Sequence, residues 1–430
     1  MGDDDLMDVA ATWSFWDRPP PPSIRRAVKL PRSLSDRTAL VIQGVRRCGK
    51  STLLAQLIRR YRLKRRDCLF VNFEDPRLAG SLSHETLERL TRVFGELRGE
   101  AETLTIFLDE VQWVNGWERW LRSKLDRPGR YRFVVSGSNA HLLSGELSSV
   151  LTGRHITVEL FPFDFPEFRS MHPDGTVAEY LRRGGFPEPG RLSDLPLQRE
   201  DRQDGRWAWA GVKHGARQGD GFHGTNASDS ADLLLRQYFI DILQRDVRER
   251  VGARSSLALR QIVQMVFESA GSELSLRRIA AASGVAVETV SAYLEACEQA
   301  YLLFQCPWFA FSERKRSQRN RKYYPVDTAL RRVAVTRTGA DAGKALECAT
   351  FIELKKRYRD VFYWRGAGEV DFVISTGERP TPVQVTVEGA GERHLRALDD
   401  FYETFPHATE AVIVTMGEFP AILSSLDPDD

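Results

Sequence analysis

Residues Gly44-Val45-Arg46-Arg47-Cys48-Gly49-Lys50-Ser51 fit the pattern G-x-x-x-x-G-K-[ST], and that fit restricts the fold of everything around them. Such a loop works only between a strand and a helix. Its glycines let several backbone N–H groups turn inward, and the helix behind it adds a favourable dipole for phosphate. The flanks meet this demand: an apolar run, Ala39 to Ile42, precedes the loop and a helix-like run, Thr52 to Ile58, follows it. Gly44, Val45, Arg46, Arg47, Cys48, Gly49, Lys50, Ser51 and Thr52 are therefore the expected phosphate-binding residues, with Lys50 reaching the β and γ phosphates and Ser51 holding Mg²⁺.

A chain that binds a nucleoside triphosphate this way needs a parallel sheet behind the loop, and the pattern supplies one. Short β-rich runs at Ala39–Ile42, Cys68–Phe73, Leu104–Leu108, Tyr131–Val135 and Ile156–Leu160 alternate with amphipathic stretches such as His84–Leu97 and Trp117–Leu125. The run Leu104-Thr105-Ile106-Phe107-Leu108 ends in Asp109 and Glu110. An acid at a strand end can complete the Mg²⁺ sphere, which predicts that role for Asp109, and a neighbouring base can polarise the attacking water, which predicts it for Glu110. The next strand ends in Ser136-Gly137-Ser138-Asn139, so Ser138 or Asn139 either senses the γ phosphate or caps the following helix. Arg154 is the expected source of transition-state charge, in cis or from a neighbouring copy, with Arg46 and Arg47 as rivals.

Composition sets limits on the rest. With 430 residues and 42 % hydrophobic content, two or three ordinary domains are expected. A formal charge of +2 does not announce a nucleic-acid binder, so any such contact must be local. Two basic patches qualify: Arg59 to Arg66, and Arg314 to Lys322. Cys48, Cys68, Cys297, Cys306 and Cys348 lack C-x-x-C spacing, which suggests neither a zinc site nor a disulfide framework and fits a reducing cytoplasm. No apolar run approaches the ~20 residues that span a bilayer, so no membrane partner is expected.

Along the chain, residues 1–35 read as an extended arm with Trp13, Phe15, Trp16 and a Pro19–Pro22 run, and residues 36–190 as the ATPase domain. Residues 191–231 are rich in Gly, Pro and polar side chains and read as an irregular insertion or linker. Residues 232–312 are helical, and Leu274–Ser283, Gly284 and Val287–Gln299 have helix-turn-helix spacing, with Tyr301–Cys306 placed as a wing strand. Residues 313–430 return to alternating strands and helices.

Several motifs together resemble those of prokaryotic AAA-type ATPases that end in a domain of unknown function. They are the phosphate loop, Phe107-Leu108-Asp109-Glu110-Val111-Gln112, Ser136-Gly137-Ser138, Leu151-Thr152-Gly153-Arg154, Gly184-Gly185-Phe186-Pro187-Glu188 and Tyr323-Tyr324-Pro325-Val326-Asp327-Thr328, spanning the chain from about residue 36. The resemblance implies an α/β fold: an AAA-like P-loop core with an extra strand between the loop and the acidic strand, a winged-helix module, and a C-terminal domain similar to a PD-(D/E)XK nuclease. It also implies adenine over guanine. A nuclease of that kind needs a helix acid, a strand Asp and an acid-x-Lys strand. Glu347 or Glu353 is the candidate helix acid and Asp371 the strand acid, but Gln384 and Thr386 stand where the second acid and the lysine belong. A neutral amide brings no charge to offset stripping water from Mg²⁺, so an inactive nuclease-like domain is expected.

The functional expectation is a Mg²⁺-dependent ATPase that repositions the winged-helix and nuclease-like modules, possible DNA contacts coming from Arg277, Arg278 and residues 314–322. The alternatives are a nucleotide-gated switch holding a protein partner or a second copy, as in a signalling or defence regulator, and an active nuclease with substituted ligands.

Overall fold

The computed structural model describes residues 1–99, 103–139, 150–192, 227–252, 255–335, 342–376 and 379–421. Most of the expected insertion, 193–226, lies outside the described residues. Strands β1 (Ala39–Gln43), β2 (Cys68–Asn72), β3 (Leu104–Asp109), β4 (Tyr131–Gly137) and β5 (His155–Glu159) form one sheet in the order β2-β3-β4-β1-β5. Every pairing in it is parallel. β4 thus separates the phosphate-loop strand from the acidic strand.

Period-two alternation places Leu40, Ile42, Phe107 and Val134 in one core and Val41, Ile106, Leu108, Phe133 and Val135 in another. Both faces are therefore covered, as a parallel sheet requires. The second face is closed by α3 (His84–Arg98), α4 (Trp117–Leu125) and the N-terminal helix α1 (Asp3–Trp13), while α2 (Lys50–Arg60) follows the phosphate loop on the first.

The expected extended arm is corrected here. Leu6, Val9 and Ala10 recur at helical spacing and are buried, and Asp3, Asp4 and Asp5 occupy the first turn, where the helix dipole favours acids. Trp13 Nε1 donates to Asp75 at 2.8 Å, and Trp16 Nε1 donates to the Cys68 carbonyl at 2.7 Å. Only the proline-rich stretch after it runs without regular structure.

Beyond the sheet, a helix over Ala227–Asp241 passes into a π-helical segment, Ile242–Arg248, and a short turn that ends at Gly252. Helices Ser256–Glu268, Leu276–Ser283 and Val287–Gln299 follow, the last two joined through Gly284. β6 (Leu303–Cys306) pairs antiparallel with β7 (Lys322–Pro325), so a domain boundary at residue 313 falls between two paired strands. Tyr301 Oη lies 3.0 Å from Gln43 Oε1, tying this region to the end of β1. The C-terminal sheet, β8 (Val361–Arg365), β9 (Glu369–Thr376), β10 (Arg379–Val385) and β11 (Val412–Val414), has the order β11-β10-β9-β8 and packs against the helix Ala342–Arg357. Two motifs distant in sequence meet between the regions: the Gly185 amide donates to Asp327 Oδ2 at 2.7 Å, and a Cβ at Gly184 would lie 2.4 Å from Asp327 Oδ1.

Candidate nucleotide site

The loop after β1 packs so closely on the end of β5 that a Cβ at Gly44 would sit 2.0 Å from the Leu160 carbonyl oxygen. Gly49, with φ at 102°, turns the chain into α2 in a conformation that side-chain-bearing residues rarely adopt. Val45 and Cys48 point into the core and anchor the loop, and burial pushes the Cys48 thiol pKa up. Arg46, Arg47, Gly49, Lys50, Ser51 and Thr52 instead line a cleft of about 370 Å³.

Lys50 Nζ is 3.2 Å from the Gly44 carbonyl, 3.3 Å from that of Val45 and 3.3 Å from Glu110 Oε1. Burial works against its charge, but Glu110 and the neighbouring acids outweigh it and raise the Lys50 pKa. Asp109 is fully buried. Burial first, then the Glu110 charge, lifts its carboxyl to about 6, against the opposing hydrogen bonds of Ser136 and Ser51. Its Oδ2 is buried with no hydrogen-bond partner among the described residues, and Ser51 reaches the same carboxyl. That pair fits a hard cation that prefers oxygen.

Glu110 takes a left-handed backbone (φ 55°) immediately after β3. Burial raises its pKa, yet the Lys50 charge, the Gln112 hydrogen bond and Arg46 together bring it below the ordinary carboxylate range. Gln112 Nε2 donates to Glu110 Oε2 at 2.5 Å and lies 3.4 Å from Ser138 Oγ.

At the end of β4, Ser136 bonds Asp109, and Ser138 donates to Asp246 Oδ1 at 3.0 Å. Asn139 is buried beside them. Asp246, Ser136 and Gln112 escaped the sequence analysis. The last two belong to motifs already quoted, but nothing in the helical periodicity of residues 231–250 marks Asp246.

The in-cis reading of Arg154 is corrected. The Ala39 amide donates to the Arg154 carbonyl at 2.9 Å, which puts Arg154 at the start of β1, whereas the phosphate loop leaves its end. At about 3.3 Å per residue, the length of the strand separates them, and the guanidinium is engaged by Asp126 at 2.9 Å. An in-cis role at the phosphates is beyond its reach.

The segment before β1 does more than pack. Ser23, Ile24 and Arg26 line the same cleft as Phe163, Pro187 and Glu188. Arg26, 5 % exposed, donates to the Cys48 carbonyl at 2.8 Å, to the Phe161 carbonyl at 2.6 Å and to Glu167 Oε1 at 2.9 Å.

In the C-terminal domain, Glu347 and Asp371 lie close enough for each to disfavour the other's charge. Burial and Glu347 raise the Asp371 carboxyl to about 7. Glu353 does not belong there, since it pairs with Lys356 at 2.8 Å and Arg357 at 3.1 Å. Gln384 Nε2 donates to Asp371 Oδ2 at 2.8 Å, while Thr386 bonds the Gly389 carbonyl in its own turn. An ammonium is present all the same: Lys322 of β7, wholly buried, lies 2.6 Å from Glu369 Oε1 and 3.8 Å from Glu347 Oε1. Among the described residues no group of three or more His, Cys, Asp or Glu is arranged to hold a metal.

Lys322 also leaves the expected DNA-facing segment, being wholly buried, while the exposed Arg321 bonds Gln305. Arg316 pairs with Glu313 at 2.7 Å, while Arg314, Lys315, Arg319 and Arg321 are exposed, as are Arg277 and Arg278. No described helix is long and apolar enough to cross a membrane.

Comparison with known proteins finds three family models along the chain. Residues 36–169 match the family model of an AAA domain, residues 223–341 a domain of unknown function (DUF8612) and residues 342–424 another (DUF4143). An uncharacterized protein of Haemophilus influenzae is 27 % identical over 365 residues, covering 81 % of this chain and 82 % of its own. One of Methanocaldococcus jannaschii is 26 % identical over 373 residues, covering 81 % and 74 %. Among solved structures, the Aeropyrum pernix ORC1 protein in complex with DNA matches with a TM-score of 0.31 and 14 % identity, over 77 % of this chain and 91 % of that one. Cdc6p from Pyrobaculum aerophilum matches with a TM-score of 0.26 and 11 % identity, over 70 % and 86 %. Residues 36–169 are thus similar to AAA domains and residues 342–424 to DUF4143 domains, which supports an AAA-type P-loop ATPase.

Proposed function

We propose that the cleft binds and hydrolyses ATP with Mg²⁺, and that the nucleotide state moves the helical and C-terminal modules. The observation that carries this is that Lys50, Ser51 and Glu110 line one cleft, with Lys50 3.3 Å from Glu110 and the buried Asp109 carboxyl reached by Ser51. Ser51 and Asp109 would hold Mg²⁺, which when bound offsets charge on the phosphate oxygens. Lys50 binds the β and γ phosphates. Glu110, held as a carboxylate by its neighbours, orients a water for in-line attack on the γ phosphorus. The new P–O bond forms as the bond to the bridging oxygen breaks, leaving ADP and inorganic phosphate, and the water's proton passes to the carboxylate or the phosphate.

The test is steady-state ATP turnover of the full chain beside Lys50→Ala and Glu110→Gln. Loss of at least a hundredfold in either variant is expected, and wild-type turnover no greater than theirs refutes hydrolysis.

What the modules act on has two readings. DNA would be held by Arg277, Arg278 and the exposed Arg314, Lys315, Arg319 and Arg321 of the basic segment 314–322, and its binding would fall steeply with salt. A protein partner is favoured by one observation: Glu288, Ser291, Ala292 and Glu295 are the exposed side chains along Val287–Gln299, so the helix offers no cation to phosphate. No DNA affinity even at low ionic strength selects the protein-gated switch.

A further inference from the structure

Arg46 is buried to 6 % exposure inside the phosphate loop, yet its guanidinium is only partly satisfied. Nε donates to Asp246 Oδ2 at 3.0 Å and Nη1 to Glu74 Oε1 at 2.7 Å. Nη2 is buried and has no hydrogen-bond partner among the described residues. A buried cationic donor left unpaired is costly, and the cleft that Arg46 lines is where anionic acceptors are expected.

The carboxylate holding Arg46 comes from far away in sequence. Asp246, 4 % exposed, sits in the π-helical segment Ile242–Arg248, and its other oxygen accepts from Ser138. Such wide helical turns recur at functional sites because they break the regular ladder to aim a side chain. Ser138 in turn lies 3.4 Å from the Gln112 amide that bonds Glu110. Asp246 therefore joins Arg46 to the side of the cleft where the attacking water belongs, which is the side of the terminal phosphate and not of the base.

We propose that Asp246 is a positioning residue that aims Arg46 at the terminal phosphate, so that the helical segment registers whether a triphosphate or a diphosphate is bound. The inference rests on nucleotide binding at this loop. The ionised oxygens of a terminal phosphate accept hydrogen bonds, so Nη2 gains a charge-assisted bond from a triphosphate. A diphosphate lacks the group that supplies it. On this reading the in-cis arginine is Arg46, already inside the loop.

Titration calorimetry on the full chain, with Mg²⁺ and either ADP or the non-hydrolysable triphosphate AMPPNP, tests this. Arg46→Gln is expected to lower triphosphate affinity by about tenfold to a hundredfold while leaving ADP within about twofold, the scale of a hydrogen bond to a charged group. Asp246→Asn keeps the shape and removes the charge; it should lower the triphosphate-to-diphosphate ratio in the same direction. In an Arg46→Gln background it should add nothing, since coupled residues are non-additive.

Amide exchange over residues 242–251 should differ between the two nucleotides in wild type and not in Arg46→Gln. Should Asp246→Asn fail to fold, Ser138→Ala removes a neutral donor to the same carboxylate and should lower the ratio less, in the same sense. An unchanged ratio in whichever of these variants folds, or multiplicative losses in the double variant, overturns the inference while leaving ATP binding intact. Wild type that binds neither nucleotide overturns the nucleotide site itself, and this inference with it.

Discussion

Replacing Arg26 by Met should weaken both the fold and nucleotide binding, because this side chain from the N-terminal segment is part of the loop's support. Its three hydrogen bonds, of 2.6 to 2.9 Å, end on the Cys48 carbonyl in the loop, the Phe161 carbonyl beyond β5 and Glu167. Methionine fills much of the volume but leaves those two carbonyls without this donor and Glu167, 5 % exposed, without its cation. The Ala27 and Asp164 amides still donate to Glu167, at 2.7 and 3.1 Å, which limits the damage. Breaking a buried pair by removing one partner typically costs about 3 to 5 kcal/mol, and the surviving amides place this case near the lower end, about 3 kcal/mol. The Cys48 carbonyl is two residues from Lys50, so the loop should also lose its position, with about a tenfold weaker Kd for ATP; displacements near 1 Å are known to cost this much or more. Urea denaturation followed by circular dichroism measures the first effect, and calorimetry with ATP at low temperature, where the variant is folded, measures the second. Arg26→Met within about 0.5 kcal/mol of wild type and with unchanged Kd would refute the reasoning, for it would mean that the arm merely lies against a loop that stands alone.

Two further outcomes follow from buried charge. Asp109 has its pKa raised to about 6 in the folded chain by burial and by Glu110, so the folded state binds its proton more tightly than the unfolded state does. The stabilisation is fully present below the unfolded pKa near 4 and is lost as pH rises through about 6; without nucleotide, wild type relative to Asp109→Asn should lose about 1.4 kcal/mol per pH unit across that window. Urea midpoints at pH 4.5, 5.5 and 7 check the sign, and a difference that grows in the opposite direction contradicts it. In the C-terminal domain, Lys322→Met should lower stability by about 3 kcal/mol at pH 7, where Glu347 and Glu369 lose their shared ammonium, and less at pH 5. Thermal melts at the two pH values read this, and equal losses at both would show that Lys322 acts by packing alone.

The strand-loop-helix frame could be read directly from residues 39 to 58 because each requirement there is local. Gly44 and Gly49 satisfy backbone geometry, the apolar run satisfies burial, and Lys50 and Ser51 follow at fixed spacing. Asp109 and Glu110 were legible for the same reason: a period-two strand brings its last residues to one edge of the sheet. The arm was misread because Pro19 to Pro22 dominate its composition, whereas the helical spacing of Leu6, Val9 and Ala10 covers only three positions. The in-cis role of Arg154 was misread because its residue type suits the chemistry, while its position relative to the loop depends on which end of β1 it pairs with.

The sequence by itself determined the strand-loop-helix motif at residues 39–58, the acidic pair at the end of β3 and the alternation of strands and helices, all of which follow from bonded spacing and burial periodicity. Tertiary structure alone decided that Asp246 holds Arg46 across 200 residues, that Arg26 braces the loop and that Lys322, not a residue of β10, brings its ammonium to the C-terminal acids. The physical reason is common to these three contacts. A buried charge is tolerated only where an opposite charge or a hydrogen-bond acceptor reaches it, and which distant partner arrives is fixed by packing in three dimensions and leaves no local signature in the chain.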